Sequence, residues 1–487
     1  MALLIVQTGR STGVQWLWFG CERCPVAAVV SDAGHRLHAL GGRGVKMGLV
    51  RLRLSALAER LRASLFFVPM VAVVVAVLAG FVTLAVDRHL DDQTQLPLGL
   101  TSTVASARTV LSTIAGATIS FAGIAFSVSL LIIQLASSQY SPRVVHTLFR
   151  DPFNKRVMAL VVGTFTYCVI VLRSVRSPLE DDGRAVIPNL SVAVAVLLGI
   201  VTILAIVAFI NHSAHAMDVS EILERVRREA IGSVRREWAP VDPDRRDTGA
   251  APALSGPRWV ARFDRSGWVQ QIDRDALLHC TPAGSMLLLD TFPGRYAIEG
   301  TPLCILSPPP ADPDDIGRRL RAAITVGITR TTQQDVSYGL RQLADVALKA
   351  LSPGINDPTT AQDAIFHTTA VLAELLQRDP PPRLQHGPEG QRLVVAQQPT
   401  HADLVALAFN ETRRAAAAQP TVCVYLLEAL HLLKESLDRR HLDDRTQLLA
   451  GQARLIVAGC EAANLLPADL ELVRRAFAKR FDSPAQG

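Results

Sequence analysis

The chain is short of lysine, aromatic residues and paired cysteines, and each shortage narrows the reading. Only Lys46, Lys155, Lys349, Lys434 and Lys479 are lysine among 50 basic residues. The rest are arginines spread along the chain, several of them beside apolar runs, where the positive-inside rule expects them. The net charge of +6 and pI near 9.1 therefore form no basic patch, and a nucleic-acid role is set aside. Seven cysteines, at 21, 24, 168, 280, 304, 423 and 460, have no spacing that suggests a disulfide framework. The soluble part is expected in a reducing cytoplasm. Cys21 and Cys24 make half a zinc hook with no second pair nearby, so no metal site is read there. No P-loop and no HExxH zinc motif occurs, and nothing calls for a cofactor.

What is present is apolar. Hydrophobic residues make up 49% of the chain, mean hydropathy is +0.25, and the apolar residues cluster between positions 63 and 217. The longest uncharged run is Thr109 to Pro142. A helix crosses the hydrocarbon core with about 20 residues, so this run exceeds one crossing. It is also striped: Thr109, Thr113, Gly116, Ser120, Gly123, Ser127, Gln134 and Ser138 recur at steps of three, four or seven. That places small and polar groups on one helix face. Such a face is expected to meet another helix or water, and the run is expected to be the central helix of a four-helix membrane domain. Packing is one reading, since Gly116/Ser120 and Gly123/Ser127 are small-xxx-small pairs. A pore lining with Gln134, Ser138 and Gln139 at its inner mouth is the other.

Four spans are expected: Ala63 to Val86, the striped helix entered near Ser106, Val157 to Leu172, and about Ile187 to Ile210. Arg51, Arg53, Arg60 and Arg62 precede the first, and Arg143, Arg150, Lys155 and Arg156 separate the second from the third. The loops after the first and third spans are acidic or balanced, so both termini are expected in the cytoplasm. No acidic residue falls inside these runs, which counts against a proton-coupled transporter.

The fold expected is a mainly α membrane protein, with a four-helix transmembrane domain followed by a cytoplasmic α+β region. Residues 1–46 lack periodicity and are expected to be disordered or an over-called start. Residues 47–216 form the membrane domain, and 217–256 an amphipathic helix with a Pro- and Arg-rich linker. A small β-rich module follows at 257–330, and a helical bundle at 331–487. Trp259 to Phe263 and Trp268 to Ile272 flank Asp-Arg-Ser-Gly and read as a hairpin. The module at 257–306 holds no lysine, which excludes a lipoyl-type carrier role. Residues 379–399 read as a Pro-, Gly- and Gln-rich loop.

Two smaller constellations stand out. His212, His215 and Asp218, three residues apart, could share a metal, although interfacial side chains explain them as well. Ser352, Pro353, Gly354, Asn356, Asp357 and Pro358 lie between two helices. They read as a helix corner with Asn356 or Asp357 as N-cap. An anion site at the following helix N-terminus, with Arg341 nearby, is the functional alternative.

Several stretches together resemble the DUF2254 family of bacterial predicted membrane proteins. They are Ser112-Thr-Ile-Ala-Gly116, Phe126-Ser-Val-Ser through Gln134-Leu-Ala-Ser-Ser-Gln-Tyr-Ser-Pro142, Gly163-Thr-Phe-Thr-Tyr167, Pro188-Asn-Leu-Ser191, Gly339-Leu-Arg-Gln-Leu343 and Ala350-Leu-Ser-Pro-Gly-Ile-Asn-Asp-Pro-Thr-Thr-Ala361. The resemblance runs from about Met47 to Phe481. It implies a multi-pass protein of a bacterial plasma membrane with a cytoplasmic C-terminal region, and it brings no catalytic residues. Two functions stay open: a homo-oligomeric channel or transporter-like protein gated by its cytoplasmic domain, or a membrane-anchored scaffold or sensor without transport. An enzyme is not expected.

Overall fold

Among the described residues, four helices are long and apolar enough to cross a membrane. The computed structural model describes residues 67–90, 103–139, 152–176, 188–215, 218–241 and 254–482. Residues 1–46, expected to be disordered, lie outside the described residues. The spans are α1 (Phe67–Leu90), α2 (Val104–Gln139), α3 (Pro152–Ser174) and α4 (Asn189–His215).

The third span, not the second, is central. α3 buries 44% of its apolar window, against 11% for α1, 17% for α2 and 22% for α4. It packs on all three others. Length and the polar stripe point to α2 in the sequence, but burial depends on neighbours that no single run reveals. The close helix approaches likewise fall at other glycines. A Cβ on Gly80 of α1 would lie 2.9 Å from Ile170 Cγ2 of α3, and one on Gly199 of α4 would lie 3.3 Å from Ile114 Cδ1 of α2. A Cβ on Gly163 of α3 would lie 3.6 Å from the Ala72 carbonyl oxygen. A Cβ on Gly116 or Gly123 would meet nothing within 4 Å.

The spans are held in register by polar contacts at one end. Asp87, in the last turn of α1, caps α4: its carboxylate accepts from Leu190 N and Ser191 N, both at 2.9 Å, and from Ser191 Oγ. This pairs a carboxylate with a helix N-terminus. Tyr167 Oη of α3 lies 2.9 Å from Thr83 Oγ1 and donates to Ser191 O at 3.2 Å. Arg108 of α2 donates to Val175 O at 3.0 Å. The C-terminal ends of α1 and α3 thus meet the N-terminal ends of α2 and α4. Deeper in, Thr164 and Thr202 share a buried hydrogen bond of 3.0 Å.

The region after the four spans begins with α5 (Val219–Glu237), capped by Asp218 through Ser220 N, and β1 (Ala239–Pro240). Then come β2 (Trp259–Arg262), β3 (Gly267–Ile272), α6 (Arg274–Cys280), β4 (Met286–Leu289), β5 (Tyr296–Ala297), β6 (Pro302–Ser307), α7 (Pro313–Ala322) and β7 (Ile324–Gly327). After these follow α8 (Val336–Ala350), α9 (Pro358–Leu375), β8 (Arg378–Asp379), β9 (Leu384–His386), β10 (Arg392–Val395), α10 (His401–Ala415), α11 (Pro420–Asp438), α12 (Asp443–Ala462) and α13 (Pro467–Phe477).

Two sequence expectations fail in the β-rich module. β2 and β3 do not pair with each other. β2 joins a five-stranded sheet of order β2-β6-β4-β10-β9, and β3 a three-stranded sheet of order β5-β3-β7. Both strands bury residues in the same core, with Ala261 beside Val269 and Ile272, so alternation identifies each strand without naming its partner. The Pro- and Gly-rich stretch 379–399 is not only loop. It supplies β9 and β10, and β10 pairs in parallel with β4, Leu393 opposite Leu287. A parallel pair needs a long crossover, here through α7, α8 and α9, so a module expected at 257–330 is completed from beyond that boundary.

Gly80→Leu and Gly199→Leu should each lower stability by about 1–3 kcal/mol, the usual effect of overpacking. Gly116→Leu and Gly123→Leu should leave the single chain's stability near wild type. Thermal unfolding of monomeric protein in detergent checks both; equal losses at all four glycines would contradict this packing.

Candidate functional site

The described residues offer no group of three or more metal-ligating side chains, so the candidate site rests on an outward face and a junction. On α2 the buried residues are Ala107, Leu111, Ala115, Thr118 and Ala125. Thr109, Thr113, Gly116, Ser120, Gly123, Ser127 and Gln134 are all exposed. The side chain of Ser138 lies outside the described residues. The stripe therefore forms one face, as its spacing requires, and that face points away from the other described helices. Its flanks are apolar and exposed as well, with Ile119, Ile124, Phe126 and Leu131. Several hydroxyls return to their own helix: Thr109 Oγ1 donates to Ala105 O at 2.8 Å and Ser127 Oγ to Gly123 O at 3.0 Å. Such back-bonding satisfies a hydroxyl without a neighbour.

The junction starts where α4 ends. The His212 ring packs tilted against Phe153, ring centroids 4.6 Å apart. With Ala208 and Asn211 these two line an open cavity of about 370 Å³. The His215 side chain lies outside the described residues, and Asp218 is committed to capping α5.

α5 then enters the bundle core. Its buried residues Ile222, Leu223, Val226, Ala230 and Val234 share one face, which packs on α8 and α9. Contact is closest at Gly339, where a Cβ would sit 2.4 Å from Ala230 Cβ. The end of α5 is fastened in several ways. β1 pairs antiparallel with β8, Arg378 Nη1 donates to Trp238 O at 3.0 Å, and the Trp238 and His401 rings meet edge to face at 5.1 Å. Arg235 and Arg378 both hold Glu374, at 2.9 and 2.7 Å.

A second knot ties the β-rich module to α8. Arg330 pairs with the buried carboxylate of Asp335 at 2.6 Å and donates to Ser337 Oγ at 2.8 Å. Its guanidinium lies 5.5 Å from the Trp268 ring centroid and 5.0 Å from that of Tyr338, a cation–π contact on each. Gly294, at φ +92°, abuts Asp335: a Cβ there would fall 2.3 Å from Oδ2. Gln334 bonds the Ile272 backbone N–H at 2.8 Å. Burial pushes the Asp335 carboxyl up from the usual range, and Arg330 pulls it back.

The helix corner is built as capping. Asp357 accepts from Thr359 N, Thr360 N and Thr360 Oγ1, which holds its carboxyl below the usual range. Pro358 opens α9. Ser352 Oγ donates to Lys349 O at 2.7 Å. Asn356 adopts φ 48° and receives Gln419 Nε2 at 3.4 Å. Pro353 and Gly354 are exposed. Arg341 is held instead by Asp345 at 2.8 Å and Glu411 at 2.6 Å. The helix N-terminus already carries a carboxylate, and the expected cation is engaged elsewhere.

A family description reading "Predicted membrane protein (DUF2254)" matches residues 62–432. The chain belongs to the DUF2254 family. Uncharacterized protein Rv1290c of Mycobacterium tuberculosis (strain ATCC 25618 / H37Rv) is 32% identical to it over 339 residues. Uncharacterized protein Mb1321c of Mycobacterium bovis is likewise 32% identical over 339 residues. Each match covers 69% of this chain and 65% of the relative, so it spans just under two thirds of those proteins. No solved structure matches. Four of the DUF2254 stretches quoted above carry contacts or caps. Gly163, Thr164 and Tyr167 bind α3 to α1 and α4, Ser191 donates to Asp87, Gly339 abuts Ala230, and Asp357 caps α9.

Sequence reading missed Asp87, placed in a loop, and Arg330, which had no motif around it. Both act on residues far away in the chain, and only a short polar residue at the end of an apolar run hinted at the first. Arg330→Met should cost about 3–5 kcal/mol near neutral pH, because it leaves a buried carboxylate without its partner. Asp335 is raised even in the wild type, and raised further in the variant. The variant should regain stability as pH falls and the carboxyl takes up a proton. Unfolding curves across pH test this; a loss that is equal at acidic and neutral pH would refute it.

Proposed function

We propose that this DUF2254 chain assembles with copies of itself into a channel- or transporter-like protein, gated through its cytoplasmic region. The observation that carries the reading is the outward turn of the α2 stripe. A face of Thr, Ser, Gly and Gln directed away from the other described helices suits a partner copy or a water-filled path. Both termini lie in the cytoplasm of a bacterial plasma membrane in this reading, on the side marked by Lys155 and Arg156. α5 supplies the link: it begins three residues beyond α4 and buries its apolar face in the bundle, so a shift of the bundle would reach the fourth span.

A membrane-anchored scaffold or sensor is the second reading. The back-bonded hydroxyls of Thr109 and Ser127 favour it, since satisfied hydroxyls can face lipid without a path. Neither reading uses an enzymatic step, a cofactor or nucleic acid.

Purified protein in liposomes separates the two. Under the first, solute or ion flux should appear and change with Gln134→Ala, and Gly123→Leu should reduce it. Ser120→Cys should crosslink copies through the stripe. Absence of flux for every solute tested, with no Ser120→Cys crosslink, would overturn the proposal and leave the scaffold.

A further inference from the structure

α11 and α12 form an antiparallel hairpin in the bundle core, and two cysteines face each other across it. Cys423 lies in the first turn of α11 and Cys460 in the last turns of α12. Both are fully buried and free, and their sulfur atoms are 3.2 Å apart. Cys423 Sγ also donates to Ala416 O, in the turn after α10, at 3.2 Å. The pair therefore sits where α10, α11 and α12 converge.

We propose that Cys423 and Cys460 are a reversible dithiol–disulfide pair that fastens the α11–α12 hairpin under oxidising conditions. A disulfide needs its sulfurs at about 2.05 Å, so closing the bond takes an approach of about 1 Å along a line the thiols already share. A peroxide serves as two-electron oxidant. One thiolate attacks a peroxide oxygen and breaks the O–O bond, which gives a sulfenic acid and, after protonation, water. The second sulfur attacks the sulfenic sulfur, a second water leaves, and the S–S bond forms. Two thiols lose two electrons and two protons, and hydrogen peroxide becomes two waters.

Entry to the buried pair comes from the helix ends. Cys423 is three residues from Pro420, at a helix start whose N-cap, Gln419, makes no side-chain capping bond. Such ends open locally at lower cost than helix centres. A disulfide in a reducing compartment is expected to be transient and responsive, and the bond would tie together helix ends 37 residues apart in the chain.

The test uses the full chain in detergent, treated with hydrogen peroxide, blocked with iodoacetamide and mapped by mass spectrometry. The expected result is a linked peptide holding Cys423 and Cys460, lost on treatment with dithiothreitol. The melting temperature of the soluble region should rise on oxidation in the wild type and stay unchanged in Cys423→Ala. Cys460→Ser serves as the second variant should the first fail to fold. Recovery of both cysteines as free thiols overturns the proposal. So does their separate oxidation in folded protein, or an equal rise in melting temperature in the variant.

Discussion

The membrane domain depends on one requirement: polar groups carried into hydrocarbon must find partners inside the protein. α3 meets it by placing Thr164 against Thr202 and Tyr167 against Thr83 and the Ser191 carbonyl. Those contacts need α3 to touch both α1 and α4, which forces it to the centre. Asp87 then neutralises the N-terminal end of α4, using two backbone donors that the helix cannot satisfy itself. Once these partners are fixed, the glycines have assigned places. Gly80 and Gly199 fall where helices approach, and Gly116 and Gly123 fall where they do not.

The same requirement shapes the region after the spans at its seams. Arg330 carries a charge between the module and α8, held by one carboxylate and two aromatic faces. Gln334 completes the backbone pairing of Ile272 across that seam. At the other seam Arg378 binds the last carbonyl of the α5 segment, and β1 adds a two-residue strand to β8. Polar side chains thus join elements whose apolar cores are otherwise separate, one in the helical bundle and one in the β-rich module.

Legibility in the sequence follows the range of the interaction. The four spans and the helices of the bundle rest on periodicity within one segment, and their centres were readable. Asp357 and Pro358 at the start of α9 were readable for the same reason, since a cap acts over three residues. The partners of Trp259 and Trp268, the strand hidden in Arg392–Val395 and the reach of Asp87 to Ser191 were not. Each depends on a residue tens to a hundred positions away, and a single sequence carries no record of that pairing. The stripe shows the limit most clearly. Spacing put Thr109 through Gln134 on one face, but whether the face looks inward depends on where α3 lies.

That outcome changes what the stripe implies. A small-residue face used within the chain would be explained by packing alone. Here α3 and α4 take the opposite side of α2, through Ala107, Leu111, Ala115 and Ala125, so among the described residues packing leaves the striped side unused. A helix that only needed to sit in lipid would gain more from leucine and isoleucine there, as on the exposed face of α4 at Leu197, Ile203 and Leu204. The contrast between those two exposed faces in one domain is the physical argument behind the proposal that α2 meets something other than acyl chains.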